Sequence, residues 1–427
     1  MIKIYDIETL EEREILFRGG SGADVSAPVA EILRAVQERG DAALREYTLR
    51  FDGAAPDALA VTAEEVDQAA AQVEPAFLAV LEEAAEHIRA YHARQKRESF
   101  VMTEREGVVL GQRIIPLARV GIYVPGGTAA YPSTVLMNAI PARIAGVGEI
   151  IMVTPPGRDG AVNPHILAAA KIAGVTRIYK VGGAQAVAAL AYGTGTIPQV
   201  DKIVGPGNAY VAEAKRQVFG RVNIDMIAGP SEVLVLADGR SNPAWVAADL
   251  LSQAEHDRMA AAVLVTDSRP LAEAVAHELE RQLAALPRAE IAWASLEANG
   301  KLIVCRDLRE GIAVANRIAP EHLELCVDNP FDYLGEIQNA GSVFLGRYNP
   351  EPMGDYFAGP NHTLPTMGTA RFYSPLSVDD FVKKSQFSYY TRDALARDYR
   401  KVSLFARKEG LDAHARAVDI RFEGGEA

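Results

Sequence analysis

The sequence predicts an α/β fold with two parallel-sheet domains. From Arg119 onward, short β-branched runs alternate with alanine-rich helical stretches, a pattern typical of βαβ units. The alternation starts again after Gly229-Pro230, which indicates a second sheet. A chain of 427 residues is also too long for one simple core. A cleft between two such domains is a usual place for a small-molecule site.

Composition argues against several classes of partner. Lys and Arg total 44 against 56 Asp and Glu, a formal net charge of −12, so we expect no nucleic-acid partner. No apolar run is long enough to cross a bilayer, and the N-terminus lacks the pattern of a secretion signal. We therefore expect no membrane association. Two cysteines, Cys305 and Cys326, in a chain of this length favour a reducing compartment over a disulfide framework, so we expect a cytoplasmic protein.

Residues 1–118 are predicted to form an N-terminal helical region that packs on the second α/β domain. The segment Thr62-Ala-Glu-Glu65 is a capping box ahead of a helix. A long periodic helix is expected from about 75 to 96. His87 and His92 on that helix are five residues apart, and we predict that both lie on the surface.

The first α/β domain is expected over residues 119–231. Its predicted strands are 120–124, 149–153, 177–181 and 202–204. Glycine-bearing loops follow three of them: 125–127, 182–185 and 205–208. Loops at the carboxyl ends of parallel strands bind ligands, and glycine lets the backbone approach a phosphate. None matches G-x-G-x-x-G, so a nucleotide site and ordinary turns remain equally open. The polar side chains beside the loops are Tyr123, Gln185 and Asn208.

The second α/β domain is expected over residues 232–375, and a helical tail over 376–427. The strands predicted in this domain are 232–237, 262–265, 302–305, 323–327 and 342–345. After about Ser374 we expect helices only. The tail is too short to bury a core of its own, so it must dock elsewhere, and a partner subunit is one candidate.

Two pairs of residues in the second half are candidates for chemistry. Gln253 and His256 are three residues apart on one helical face, where an amide oxygen and an imidazole would form half of a metal site. Taken alone, the pair is more typical of a solvated helix surface. Glu321 and His322 have the residue types of an acid/base pair, although a helix-to-strand junction with a satisfied His is the more frequent explanation of a lone Glu-His pair. Asp355, in a glycine- and proline-rich loop, would add a carboxylate ligand.

Four motifs together resemble the histidinol dehydrogenase family. They are Ile224-Asp-Met-Ile-Ala-Gly-Pro-Ser-Glu232, Ser252-Gln-Ala-Glu-His-Asp257, Ala319-Pro-Glu-His-Leu-Glu324, and Gly354-Asp-Tyr followed by Gly359-Pro-Asn-His-Thr-Leu-Pro-Thr366. With Glu409 and His414 in the tail, the resemblance covers nearly the whole chain. It implies a zinc-dependent NAD dehydrogenase that oxidises L-histidinol through L-histidinaldehyde to L-histidine, with two NAD per turnover, in the last steps of histidine biosynthesis.

The resemblance also implies a role for individual residues. Glu321 and His322 would be catalytic. The zinc ligands would be Gln253, His256, Asp355 and His414. The substrate would contact Ser231, Gln253, His256, His322, Asp355, Glu409 and His414. NAD would contact Tyr123, Gln185 and Asn208. The family resemblance further implies an intertwined homodimer with incomplete Rossmann-like domains, in which the tail supplies Glu409 and His414 to the other subunit's site.

Two other functions stay open on the sequence. One is a zinc-dependent NAD dehydrogenase of another small alcohol, such as a sulfonated diol. The other is a two-lobed zinc-dependent binding protein without catalysis, although the Glu321-His322 pair argues against it. Measuring NADH formation from NAD with histidinol, and with other small alcohols, distinguishes both alternatives from histidinol oxidation.

Overall fold

The computed structural model describes residues 2–16, 24–126 and 130–423. Gly127, at the end of the first glycine-bearing loop, lies outside them. The chain forms two compact units: one comprises 1–96 and 117–381, the other 97–116 and 382–427. Within the described ranges, none of the helices combines the length and the apolar character that a membrane span requires.

Helices and strands alternate through most of the chain. The strands are β1 Ile4–Asp6, β2 Phe100–Met102, β3 Val108–Pro116, β4 Arg119–Tyr123, β5 Glu149–Thr154, β6 Arg177–Lys180, β7 Lys202–Val204, β8 Asn223–Ile224, β9 Glu232–Ala237, β10 Ala261–Thr266, β11 Lys301–Val304, β12 His322–Cys326, β13 Ser342–Leu345 and β14 Val382–Tyr390. The helices are α1 Glu12–Leu16, α2 Ser26–Arg39, α3 Asp41–Asp52, α4 Ala63–Gln72, α5 Pro75–Ala93, α6 Pro132–Ala145, α7 Pro164–Ala173, α8 Gly183–Tyr192, α9 Ala209–Val218, α10 Pro243–Ala254, α11 Arg269–Leu283, α12 Ala289–Asn299, α13 Leu308–Ile318, α14 Phe331–Leu334, α15 Glu351–Tyr356, α16 Arg392–Lys408 and α17 Asp412–Asp419.

The first sheet is parallel, with the strand order β6-β5-β4-β7-β8. Counted from β4, this is the order 3-2-1-4-5 of a doubly wound domain that lacks its sixth strand. The order reverses between β4 and β7, and a crevice opens at such a point beyond the carboxyl ends of the strands. Tyr123 and Gly205 therefore lie where a ligand is expected.

The second sheet repeats the same order. It runs β1-β11-β10-β9-β12-β13, all parallel, with β1 added beside the third strand of the series. Its strands are buried on both faces: Val235 and Leu264 pack toward α10 and α11, while Leu234 and Val265 pack toward α13. The two incomplete Rossmann-like domains expected from the sequence are confirmed.

The N-terminal helices pack on the first domain, so the prediction that they pack on the second is wrong. Helices α2 and α3 contact α8, and α4 and α5 contact α7 and α6. The reason is that α8 is buried from Ala184 to Ala191. Other helices must therefore pack on the side of α8 that faces away from its sheet. Leu33 and Val36 of α2 join the core around α8. Among the described residues of the N-terminal region, β1 pairs with β11 of the second domain, α1 contacts α13, and Ile7 and Leu10 between them pack on the same core.

Helix α5 also supports the loop that follows α15. Its His92, predicted to be at the surface, is fully buried, and Nδ1 of His92 lies 2.7 Å from Oε1 of Gln95. Asn361 packs beside it and donates a hydrogen bond to the carbonyl of Met137 at 2.6 Å. One turn earlier, Nδ1 of His87 donates to the carbonyl of Phe357 at 2.8 Å. The loop is therefore fixed at several points before it reaches His362.

The other compact unit contains an antiparallel sheet, β14-β3-β2, together with α16 and α17. The prediction that only helices follow Ser374 is wrong, since β14 pairs with β3 along nine residues, from Val382 opposite Pro116 to Tyr390 opposite Val108. Every residue of β14 after Val382 is exposed in this chain. A strand without a buried face need not alternate apolar and polar residues, so the sequence carried no strand signal.

Candidate active site

Polar side chains lie at the carboxyl ends of the first sheet. The hydroxyl of Tyr123 accepts a hydrogen bond from the backbone N–H of Gly183 at 3.1 Å, at the first residue of α8. Gln185, one turn into this helix, is only 1% exposed, and within the described ranges neither of its amide atoms has a hydrogen-bond partner. Buried amides are normally paired, so Gln185 favours a polar ligand at the positive end of α8.

Close backbone packing shapes this edge. Gly205 has φ +112°, and a Cβ there would lie 2.2 Å from the carbonyl oxygen of Tyr123. A Cβ on Gly182 would lie 2.6 Å from Cβ of Pro155. Asn208 caps α9, because its Oδ1 accepts the N–H groups of Tyr210 and Val211 at 3.0 and 3.2 Å. Only the NH₂ group of Asn208 is left to meet a ligand.

A buried ion pair fixes the Gly205 loop. Lys215 of α9 is paired with Asp225, which follows β8, and both side chains are almost fully buried. Lys215 also donates to the carbonyl of Gly205 at 3.0 Å, and Asp225 accepts the N–H of Gly205 at 2.8 Å. Removing one partner of a buried pair typically costs roughly 3–5 kcal/mol, so the loop is held firmly.

Glu321 and His322 are held by the strand next to them. Glu232 opens β9, beside β12, which begins at His322. The N–H of Glu232 donates to Oε2 of Glu321 at 2.8 Å, and Nδ1 of His322 lies 2.9 Å from the carbonyl oxygen of Glu232. A carbonyl can only accept, so Nδ1 carries the hydrogen and Nε2 carries the lone pair. Burial lowers the pKa of His322 and keeps the ring neutral.

The turn before Glu321 follows from two neighbouring residues. Ala319 ends α13 in the left-handed region, with φ 52°. Pro320 follows, and a residue before proline is disfavoured in the helical region. The helix therefore stops and the chain enters β12 with Glu321 and His322 at its beginning. Tyr123 and Gly205 lie at the carboxyl ends of their strands, whereas Glu232, Glu321 and His322 lie at the amino ends of theirs.

Two carboxylates of α15 face the free nitrogen of His322. Oε1 of Glu351 lies 3.6 Å and Oδ1 of Asp355 lies 3.9 Å from Nε2 of His322. Neither Nε2 nor Oε1 of Glu351 has a hydrogen-bond partner in the part of the chain that is described. His362 lies behind them, with its Nδ1 3.0 Å from the carbonyl oxygen of Asp355. Nε2 of His322 can therefore still accept a proton.

Crowding of acids in a buried place raises their pKa values. Burial raises the pKa of Glu321 well above its usual range, and the carboxyls of Glu232, Asp355 and Glu351 add to the increase. Burial, with Asp355 next in importance, raises the pKa of Glu351 to about 9. A bound cation would relieve both effects, because it stabilises the ionised carboxylates.

The residues at the end of α10 suit a zinc ion. Gln253 is 1% exposed, and its Oε1 has no hydrogen-bond partner among the residues described. His256 follows in the next turn, where it is exposed and close enough to His322 to lower the pKa of that ring. With Asp355 they offer an amide oxygen, an imidazole nitrogen and a carboxylate, a mixed set of donors that fits zinc.

The structure brings some predicted site residues together and leaves others apart. Glu321, His322 and Asp355 form one cluster, and Ser231 lies just before Glu232, where its carbonyl accepts the N–H of Ala261 at 3.0 Å. Glu409 and His414 belong to the other compact unit, where both are exposed beside an apolar hollow of about 810 Å³ between α16 and α17.

Sequence reasoning missed three residues of this cluster. Glu351 is four residues before Asp355, the spacing that places two side chains on one helical face. Glu232 and His362 lie within the motifs quoted above but were assigned no role. The helical spacing was therefore the available signal for Glu351, whereas the bond from His322 to the Glu232 carbonyl has no counterpart in the sequence.

Comparison with known proteins decides the family. The histidinol dehydrogenase family model matches residues 18–422. The chain belongs to the histidinol dehydrogenase family. It is 55% identical to the histidinol dehydrogenase of Listeria monocytogenes serotype 4b (strain F2365) over 97% of both chains. It is 58% identical to that of Geobacillus kaustophilus (strain HTA426), over 93% of this chain and 94% of the other.

A solved structure agrees with this assignment. The crystal structure of histidinol dehydrogenase from Elizabethkingia anophelis superposes with a TM-score of 0.94 at 40% identity, covering 99% of this chain and 98% of the other. The histidinol dehydrogenases are oxidoreductases, so the buried histidine and acids described above occur in a family whose chemistry is redox.

The raised pKa of Glu351 predicts how the stability of the metal-free protein depends on pH. Its folded-state pKa of about 9 lies above the ordinary value of 4.5, so the folded state binds this proton more tightly. The associated stability is fully present at low pH and is lost as the pH rises toward 9. We expect the free energy of unfolding, measured with urea, to fall by roughly 2 kcal/mol between about pH 7 and 9.

The matched control is Glu351→Gln, which keeps the size of the side chain and cannot titrate. This variant should show a flatter dependence over the same range. The lowered pKa of His322 does not interfere, because it acts below neutral pH. An unfolding free energy that rises between pH 7 and 9, or an equal slope in both proteins, would contradict the prediction.

Proposed function

We propose that the protein is a zinc-dependent histidinol dehydrogenase that oxidises L-histidinol to L-histidine through L-histidinaldehyde with two NAD. The observation that supports this best is a neutral, buried His322 whose free Nε2 lies beside Asp355 and Glu351. A base of this kind, next to candidate metal ligands, suits removal of a proton from an alcohol. The family membership supplies the substrate.

His322 would act as the base for the first oxidation. The Nδ1–H bond to the Glu232 carbonyl keeps the ring fixed and leaves Nε2 to accept the hydroxyl proton of histidinol. As that proton leaves, the carbinol carbon loses a hydride and becomes the aldehyde carbon. Two electrons and one proton leave with the hydride, so no covalent nucleophile is required. Cys305 and Cys326 are buried, and burial raises the pKa of both thiols.

Tyr123, Gln185 and Asn208 are the proposed NAD contacts. Bound NAD would accept the hydride at each of the two oxidation steps. The unpaired amide of Gln185 and the NH₂ group of Asn208 offer hydrogen bonds, and the N-terminus of α8 favours the charge of a pyrophosphate. The hydroxyl of Tyr123 is held in place by the N–H of Gly183, which orients it for a ligand.

Glu321 would act in the second oxidation. The aldehyde must be hydrated before a second hydride can leave, so a water molecule has to lose a proton. Oε2 of Glu321 is occupied by the N–H of Glu232, which leaves Oε1 as the proton acceptor. Its raised pKa makes the ionised carboxylate a stronger base than an ordinary glutamate.

Gln253, His256 and Asp355 would hold the zinc ion, with His414 supplied by a second subunit. Zinc would anchor the imidazole and amine of histidinol and so orient the carbinol carbon. Ser231 and Glu409 are further proposed substrate contacts. Glu409 and His414 are exposed in their own compact unit, which would leave them available to the partner's site in a homodimer. The two reduced, buried cysteines favour the cytoplasm as the location.

A turnover assay tests the proposed function. With zinc-loaded enzyme, we expect two NADH for each histidinol consumed, measured by absorbance against residual substrate. Chelation followed by verified metal removal should abolish turnover, and zinc should restore it. One NADH per histidinol would contradict the second step. Turnover of a sulfonated diol without histidinol oxidation would favour the other dehydrogenase, and tight histidinol binding without NADH would indicate a binding protein.

Glu321→Gln separates the two half-reactions. Gln keeps the hydrogen bond from the N–H of Glu232 but cannot accept the proton of water. Oxidation of histidinaldehyde should therefore fall by roughly 100-fold or more, while oxidation of histidinol falls less. Stopped-flow measurement of each NADH formed from the two substrates checks this. Equal losses in both half-reactions would remove the assigned role.

Mixed dimers test the proposed exchange of residues between subunits. His256→Asn and His414→Asn chains should each be inactive alone, because each site lacks one ligand. In a heterodimer, one of the two sites would regain a complete set, so up to about half of the activity per dimer is expected. Differently tagged chains allow the heterodimer to be purified. A purified heterodimer with no activity would show that the sites are not shared in this way.

A further inference from the structure

Two acidic side chains outside the proposed reaction lie close together. Asp249 is on α10 and Glu324 is on β12. One carboxyl oxygen from each, with Sγ of Cys326, forms a group whose atoms lie within 4.8 Å of one another. Glu324 is 1% exposed and is hydrogen-bonded to Asp249. The histidinol chemistry proposed above assigns no role to either residue.

Glu324 also holds the beginning of α15. Its Oε1 accepts a hydrogen bond from the backbone N–H of Glu351 at 2.7 Å. Glu351 is the first residue of α15, and the first N–H groups of a helix have no partner within it. The residue before it is Pro350, which provides no capping side chain. Glu324, on strand β12, thus caps α15 in place of a residue next to the helix in the sequence.

The bond between the two acids requires a proton. Burial, followed by the charge of Asp249, raises the pKa of Glu324 well above its usual range. Burial raises the pKa of Asp249 to about 6, and the bond with Glu324 opposes that increase. The proton therefore belongs to Glu324. In this form Glu324 donates to Asp249 with one oxygen and accepts from Glu351 with the other.

The pair joins three elements that carry the active site. Asp249 is four residues before Gln253, so the two lie on the same face of α10. Glu324 is two residues after His322, so both point to the same face of the second sheet. Glu351 opens the helix that carries Asp355 one turn later. A shift in the pair would therefore change the spacing between α10 and α15.

We propose that Glu324 is a positioning residue, whose hydrogen bonds to Asp249 and to the Glu351 backbone hold α10 and α15 at the spacing that their zinc ligands require. The proposal rests on the proposed zinc-dependent function, because Gln253, His256 and Asp355 are the ligands concerned. Removing a group that hydrogen-bonds and orients metal ligands, without binding the metal itself, typically lowers metal affinity by about 10- to 100-fold.

The test measures zinc affinity by competition between the metal-free full-length enzyme and a chromophoric chelator. Glu324→Leu removes both hydrogen bonds, and we expect the affinity for zinc to fall by roughly 10-fold or more. Glu324→Gln imitates the protonated acid, since its NH₂ can donate to Asp249 and its carbonyl can accept from Glu351. Its affinity should remain within about twofold of the wild type. This rescue distinguishes hydrogen bonding from the mere filling of space.

Two further variants separate a loss of zinc affinity from a general loss of stability. Val265→Ala creates a cavity on the opposite face of the same sheet, toward α13, where Val265 is fully buried, and should lower stability without changing zinc affinity. Asp249→Ala tests the link from the α10 side and should weaken zinc binding several-fold, even if Glu324→Leu does not fold. Histidinol KM should rise in parallel with the loss of zinc affinity, because zinc is the proposed substrate anchor.

The outcomes separate this proposal from the proposed function. Wild-type zinc affinity in both Glu324→Leu and Asp249→Ala would overturn the positioning role, as would an equal loss in Glu324→Gln and Glu324→Leu. In those cases the wild-type enzyme would still bind zinc and oxidise histidinol. A wild-type protein that binds no zinc would instead overturn the zinc-dependent function, and the positioning role with it.

Discussion

The hydrogen bond from Nδ1 of His322 to the carbonyl of Glu232 determines what the active site can do. It fixes one tautomer of a buried imidazole, so that Nε2 is the basic atom. The bond exists only because β12 lies beside β9 in parallel register, with His322 opposite Val233. The same pairing brings the N–H of Glu232 to Glu321. One pair of strands thus sets the position of the proposed base, its tautomer and its acidic neighbour.

The two sheets contribute opposite edges to function. In the first sheet, the polar groups lie at the carboxyl ends of β4 and β7, the usual ligand edge of a doubly wound sheet. In the second sheet, Glu232, Glu321 and His322 lie at the amino ends. Its carboxyl edge instead holds Arg347, paired with Asp238 and Asp328. Those ion pairs lie at the edge where doubly wound sheets usually bind their ligands.

Stability and function compete around α15. Burying several carboxyls next to one another is unfavourable, and the raised pKa values of Glu321 and Glu351 express that cost. A cation at Asp355 would offset it. Glu324 reduces the cost in another way, because it is protonated and can hold Asp249 and the Glu351 backbone without adding charge. The first domain uses charges differently, since Lys215 and Asp225 neutralise each other beneath the Gly205 loop.

The sequence by itself determined the α/β class, the repeat of two strand series and the motifs of the histidinol dehydrogenase family, because these depend on local periodicity and on short runs of residues. The capping box at Thr62 and the strand from Glu232 to Ala237 formed as expected, since neighbouring residues suffice to specify them. Only the tertiary structure decided that α2 to α5 cover the first domain, that His92 is buried and that β14 is a strand. It also decided which nitrogen of His322 is free, and that Glu324 caps α15 from another strand. Each of these depends on contacts between residues far apart in the chain, and local patterns do not record such contacts.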